Sequence, residues 1–97
     1  MKYFFHHEAQ AEFEDAIDYY ENCAAGLGYD FSLEVHAAIE NILFYPKAWQ
    51  ILTQDIRRCQ VNRFPYGVLY IEEDSEVYIV AVMSLHRDPE YWQQRIK

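Results

Sequence analysis

Two helical stripes followed by a set of short β-rich runs predict an α+β fold. The expected architecture is a helical hairpin packed on a small twisted antiparallel sheet, in the order β-α-α-β-β-β-(α). Three observations carry this. Apolar residues in the first half recur at helical spacing. A glycine-containing turn, Ala24-Ala25-Gly26-Leu27-Gly28, separates two such stretches. Residues 77–83 (VYIVAVM) form a nearly continuous apolar run rich in β-branched residues. The two stripes need an apolar surface, and a sheet of three to four strands supplies it. A chain of 97 residues suits one domain, 1–97, and no repeat, linker or low-complexity tract divides it.

The elements follow in order. Residues 2–5 (KYFF) read as a short strand. Ala9, Phe13, Ala16, Ile17, Tyr20 and Ala24 mark one face of a first helix, while Glu8, Glu12, Glu14, Asp15, Asp18 and Glu21 keep the other face in water. Acids early in this helix also suit its N-terminal dipole. Glycine accepts the left-handed conformation that stops a helix. Leu27, Phe31, Val35, Ala38, Ile39, Ile42 and Leu43 mark a second helix, bounded by Pro46. So short a turn makes the two antiparallel neighbours. Residues 47–55 lack periodicity and read as a loop, with Trp49 and Ile51 packing back. Residues 56–64 and 66–72 read as strands, and the cluster Glu73-Asp74-Ser75 turns the second into a hairpin with 77–83. The unbroken apolar run makes 77–83 a central strand, buried on both faces. Asp88-Pro89 opens a short terminal helix, with Asp as cap and Pro at the first position.

Charge is unevenly placed. The chain holds 16 acids and 8 bases, a net of −8. Residues 1–56 carry ten acids and two bases, whereas residues 57–97 carry six of each. Evenly spread, such a balance repels nucleic acid. Here Arg57, Arg58, Arg63, Arg87 and Arg95 stand apart from the acids of Glu72–Glu76. No apolar run approaches the roughly 18–20 residues of a membrane span. The N-terminus lacks the pattern of a signal peptide, so the expected location is the cytoplasm. Cys23 and Cys59 show no metal or redox spacing and are read as reduced thiols.

Familiar catalytic motifs are missing: there is no phosphate-binding glycine loop, GxSxG, HExxH or EF-hand pattern. His6-His7-Glu8 resembles a metal cluster in composition, but neighbours on a strand point to opposite faces, so no metal is expected there. That pair more naturally ends the strand and starts the helix. The i,i+4 acids Glu8/Glu12 and Glu14/Asp18 read as a solvated face. Arginines are the sharper signal, because guanidinium binds phosphate and carboxylate at two points. Arg57 and Arg63, six residues apart, share a strand face, and Arg58 points the other way. Arg63 and Arg87 are expected to converge near one end of the sheet. His86, Tyr91 and Arg87 offer an acid, a base and a phosphate clamp suited to RNA cleavage. The competing reading is that the arginines pair with the chain's own acids and His86 is an ordinary histidine at a strand end.

Several segments match a known pattern in order and spacing. They are Phe5-His6-His7-Glu8-Ala9, Ala16-Ile17-Asp18-Tyr19-Tyr20, Gly26-Leu27-Gly28 with Phe31, and Tyr45-Pro46. Arg57-Arg58 follows, then Arg63-Phe64-Pro65-Tyr66-Gly67-Val68-Leu69-Tyr70, and finally His86-Arg87-Asp88-Pro89-Glu90-Tyr91-Trp92. Along nearly its whole length the sequence resembles the RelE/ParE superfamily, the toxins of bacterial type II toxin–antitoxin pairs, also called plasmid stabilisation proteins. His7 replaces the usual proline after the first strand.

The resemblance implies two activities. RelE-like members cut mRNA on the ribosome, and ParE-like members poison DNA gyrase. A RelE-like site here would comprise Arg63, His86, Arg87 and Tyr91. In such nucleases an arginine commonly follows the tyrosine that opens the third strand, whereas Tyr66 is followed by Gly67. The only lysines are Lys2, Lys47 and Lys97. Both departures favour the ParE branch. On that reading Arg57, Arg58, Arg63 and Arg87 contact the target, and no cofactor is used. A cognate antitoxin covers exposed aromatics including Tyr29, Trp49, Tyr91 and Trp92. A homodimer of the free chain stays open, as does a non-toxic binding module on the same scaffold.

Overall fold

A computed structural model describes residues 1–87 and 91–96. Strand β1 (Lys2–Phe5) leads into helix α1 (His7–Cys23), which is followed by α2 (Leu27–Phe44). Four strands come next: β2 (Ile51–Thr53), β3 (Ile56–Gln60), β4 (Tyr66–Glu73) and β5 (Glu76–Ser84). A 3-10 turn, Gln93–Ile96, closes the described chain. The terminal helix expected to open at Asp88-Pro89 begins on residues outside the described ones.

The helix ends have local causes. His6 caps α1, its Nδ1 accepting from the Glu8 N–H at 3.1 Å. Gly26 takes φ +87°, the left-handed turn between the helices. The Glu21 carboxylate then accepts from the Gly26 and Gly28 amides at 2.9 and 3.1 Å, satisfying the first orphan donors of α2. Gly28 also permits a close helix crossing, because a Cβ there would stand 2.5 Å from the Ile17 carbonyl oxygen.

The five strands lie in the order β1-β5-β4-β3-β2. Three expectations are corrected. The sheet is mixed, since β1 pairs parallel to β5, with Phe4 beside Tyr78 and Phe5 beside Ile79. Hairpins impose antiparallel neighbours, but β1 and β5 are the first and last strands, and no hairpin joins them. Residues 51–53, expected in a loop, form β2 against β3 with an irregular register. The strand expected over 56–64 ends at Gln60.

Two apolar layers result. Phe13, Phe31, Val35, Ile39, Ile42, Val68, Tyr70, Val77 and Ile79 fill the space between helices and sheet. Ile56, Leu69, Val80, Ala81, Met83 and Trp92 form a second cluster on the other face. Strand β5 therefore is buried on both sides, as its run of apolar residues predicts. A bulge sits at its centre: Leu69 faces Ala81 but Tyr70 faces Ile79, leaving Val80 unmatched. The extra residue reverses the facing, so Val82 joins the helix side and Val80, Ala81 and Met83 the other.

Candidate functional site

The five sequence-marked arginines separate. Arg57 faces the helix side, and its guanidinium donates to the Lys47 and Trp49 carbonyls at 3.1 and 2.7 Å. It ties the segment after α2 to the sheet, helped by the Tyr70 hydroxyl donating to the Pro46 carbonyl at 2.6 Å. Arg58 points to the opposite face. Its Cγ and Cδ lie against Gly67, where a Cβ would stand 3.0 Å from each. Arg63 sits past the end of β3 with φ +71°. It turns toward α2, 3.7 Å from Asp30 and 4.0 Å from Glu34. Arg57 is thus bound to backbone, and Arg63, though exposed, pairs with carboxylates of its own chain, as the competing reading of the arginines has it.

Arg87 and Arg95 meet at Tyr91. The Arg87 guanidinium carbon lies 3.7 Å from the ring centroid and that of Arg95 4.9 Å. The Tyr91 hydroxyl donates to Glu12 Oε2. Burial and that hydrogen bond push its pKa well above the usual tyrosine value, so the phenol is neutral at physiological pH. Arg95 grips both Glu12 oxygens at 2.9 Å and donates to the Val80 carbonyl at 3.0 Å. Its Nε lies 3.5 Å from Glu8. Glu12 also accepts from the Val82 amide at 3.1 Å. The bulge has turned these backbone groups of β5 outward beyond the end of β1, and Glu12 with Arg95 satisfies them. Their side chains are only 16% and 8% exposed. The reading of Glu12 as part of a solvated face is therefore corrected. This knot fixes the C-terminal segment, which lays Trp92 on the second core.

Beside the knot, a cavity of about 310 Å³ opens between α1 and the ends of β4 and β5. Arg87 borders it, opposite Glu12 and Asp15, with Tyr19, Tyr66 and Ser84 completing its polar rim. Burial raises the Tyr66 pKa, so that hydroxyl too stays neutral. Of the four residues of the nuclease reading, the structure brings together Arg87 and Tyr91. Arg63 is drawn away to α2, and His86 lies exposed in the turn after β5, its amide donating to Ser84 Oγ at 3.2 Å. Arg63 and Arg87 flank the same end of the sheet, where Tyr66 pairs with Ser84 and the Leu85 amide donates to the Pro65 carbonyl, but Arg63 is engaged by α2 whereas Arg87 stacks on Tyr91 beside α1. The remaining rim residues, Glu12, Asp15, Tyr19 and Tyr66, carry no local signal, because they meet only through packing of α1 on the sheet.

Exposure corrects the aromatic set. Tyr29 is 65% exposed in the first turn of α2. Trp49 and Tyr91 are half-buried, and Trp92 is 1% exposed. Tyr29 alone of the four stands open as expected. At the other end of α1, the rings of His6 and His7 stack with centroids 4.4 Å apart, and donor atoms of His6, His7 and Glu8 lie within 4.8 Å of one another. The two histidines do not point to opposite faces as expected, because His7 is already helical. His6 Nδ1 is occupied as the cap of α1.

These features can be set beside known proteins. A model of the family described as ParE toxin of type II toxin–antitoxin system, parDE, matches residues 3–89. The chain belongs to the ParE toxin family. A chain from the chromosomal ParDE toxin–antitoxin system of P. aeruginosa is similar in fold, with a TM-score of 0.75 at 12% identity, over 87% of this chain and 95% of that one. The isolated E. coli RelE toxin is similar with a TM-score of 0.66 at 17% identity, over 99% of this chain and 98% of that one. No curated protein matches by sequence. At such identities the structural likeness speaks for the fold, and the family match places this ParE-family chain among type II toxins.

Proposed function

We propose that this ParE-family chain is a cytoplasmic toxin that inhibits DNA gyrase by binding, and that a cognate antitoxin neutralises it. The observation that carries the choice against mRNA cleavage is Gly67. A side chain there meets the stem of Arg58 at 3.0 Å and Leu85 at 3.4 Å, so the position after Tyr66 is packed by a neighbour. The setting of Arg87 agrees: its cavity is faced by Glu12 and Asp15, whose charge opposes an incoming phosphate. Arg58 and Arg87 have no carboxylate within 4.0 Å among the described residues, and they are the arginines we assign to target contact. Among the described residues no helix is long and apolar enough to cross a membrane.

An antitoxin partner is supported by the family and by the likeness to a ParDE chain. Tyr29, Leu33 and Phe44 on α2, with Tyr45 just past its end, give an outward apolar surface of the kind a folding-on-contact segment covers. Purified protein added to a gyrase supercoiling reaction should block supercoiling, while a translating extract mapped by primer extension should show intact mRNA. Codon-spaced cuts with normal supercoiling would overturn the reading in favour of the nuclease. No response in either, with cells growing under induced expression, would favour a non-toxic binding module.

A further inference from the structure

A second cavity, of about 360 Å³, lies between α2 and the part of β3 that runs past the end of β2, and it shares no lining residue with the cavity at Arg87. One face of α2 supplies Glu34, Ala37, Ala38 and Asn41, at i, i+3, i+4 and i+7. Glu34 and Asn41 stand roughly 10 Å apart along the helix, at the two extremes of this wall. The other wall is Trp49, Cys59, Gln60 and Asn62. Trp49 is the anomaly. Its indole Nε1–H is out of water and has no acceptor among the described residues. Buried N–H groups almost always have a partner, because an unmade bond forfeits the hydration lost on burial. The residue is fixed in this position for other reasons: its ring packs against the first core, and its carbonyl accepts from Arg57 at 2.7 Å.

Apolar and polar groups are segregated in this cavity. Its deepest residues, Ala38 and Cys59, are 5% and 2% exposed, and the Cys59 thiol already donates to the Ala38 carbonyl at 3.9 Å. The exposed rim carries three carboxamides, Asn41, Gln60 and Asn62. Glu34 stands beside them, its side chain 23% exposed, with Arg63 no nearer than 4.0 Å. An apolar floor under a polar rim suits a flat molecule, apolar on its faces and polar at its edges. A sugar would set hydroxyls against alanine and an occupied thiol. Glu34 opposes an anion, on a chain of net charge −8. A carboxylate accepts from two adjacent N–H donors, a carboxamide both donates and accepts, and an indole N–H only donates. Guanine carries the matching pattern, with N1–H and the 2-amino group as adjacent donors and O6 and N7 as adjacent acceptors.

We propose that this cavity binds guanine as the free nucleoside, its N1–H and 2-amino edge on Glu34 and its O6 and N7 edge on the Trp49 Nε1–H and a carboxamide. The site includes neither Arg58 nor Arg87, the arginines assigned to target contact, and it holds whether or not gyrase is the target. Guanosine titrated into the isotope-labelled protein should move the Trp49 indole N–H resonance downfield, with a dissociation constant below about 1 mM. The indole of Trp92, equally unpartnered but inside the second core, is the control and should stay in place. Inosine, which lacks the 2-amino group, and adenosine should bind at least about fivefold more weakly. Glu34→Gln should erase that preference. Trp49→Phe keeps a ring on the core and should weaken guanosine at least about fivefold. Guanosine monophosphate, whose charge Glu34 opposes, should bind more weakly than guanosine. Equal binding of the three nucleosides, a Trp49 resonance that does not move, or full affinity in Trp49→Phe would overturn the proposal. So would tighter binding of the monophosphate, since the phosphate would then be the recognised group.

Discussion

Glu12 joins α1, β5 and the C-terminal segment through one carboxylate, which accepts from Val82, Tyr91 and Arg95. Glu12→Gln keeps the shape and removes the charge facing Arg95. Uncompensating a buried pair typically costs about 3–5 kcal/mol, and the residual exposure of Glu12 lowers the expectation to about 2–3 kcal/mol. Urea unfolding measures this, with exposed Glu14→Gln as a control that should change stability by less than about 0.5 kcal/mol. Equal midpoints for the two variants would show that the knot is not structural. Cys59 gives a pH signature. Burial pushes its thiol from 9.0 up to about 11, so the native state keeps a proton that the unfolded chain loses. Its contribution is full below pH 9 and is lost as pH rises toward 11. Tyr70 and Tyr91, raised chiefly by burial, act in the same direction at higher pH. Melting temperatures between pH 7 and 10.5 should fall at the alkaline end, and Cys59→Ala should flatten the first part of that fall.

At the scale of elements, the helical hairpin rests on a contact that tolerates no side chain. Gly28→Ala places a methyl 2.5 Å from the Ile17 carbonyl and 2.9 Å from Glu21 Cβ, and backbone cannot easily yield. A loss of about 1–3 kcal/mol is expected by chemical denaturation. Gly67→Ala meets chiefly the flexible stem of Arg58 and should cost less than Gly28→Ala. A larger loss at Gly67 would refute this account of the two glycines. Strong periodic elements were legible from local sequence: β1, α1, α2, β4 and β5 all stand where apolar spacing puts them. Strand β2 was not, because three residues hold no period. The bulge at Val80 was hidden too, since an all-apolar run reads the same in either register.

Across the whole molecule, placement of charge matters more than its sum. Acids cover the outer helix faces, but Glu12 turns inward on Arg95 and the two are mostly buried, while Asp30 and Glu34 pair with a still exposed Arg63. Arg87 keeps its charge at a cavity mouth, stacked on Tyr91. Arg87→Glu should therefore weaken gyrase inhibition about tenfold in a supercoiling titration. It should cost only about 1 kcal/mol of stability, the worth of the stacked contact. Arg63→Glu should leave inhibition nearly unchanged, and the opposite ranking would move the working surface to α2.

By itself the sequence determined the α+β class, the helical hairpin, the central strand and the family, because these follow from apolar spacing and from local motifs with fixed offsets. Only the tertiary structure decided which arginines remain on display, why Trp92 is core, and that β1 runs parallel to β5. Those outcomes depend on pairs far apart in the chain, such as Glu12 and Arg95, separated by 83 positions. Two groups so distant leave no mark in local spacing, and the free energy of their meeting is set by the burial and geometry that the whole fold imposes.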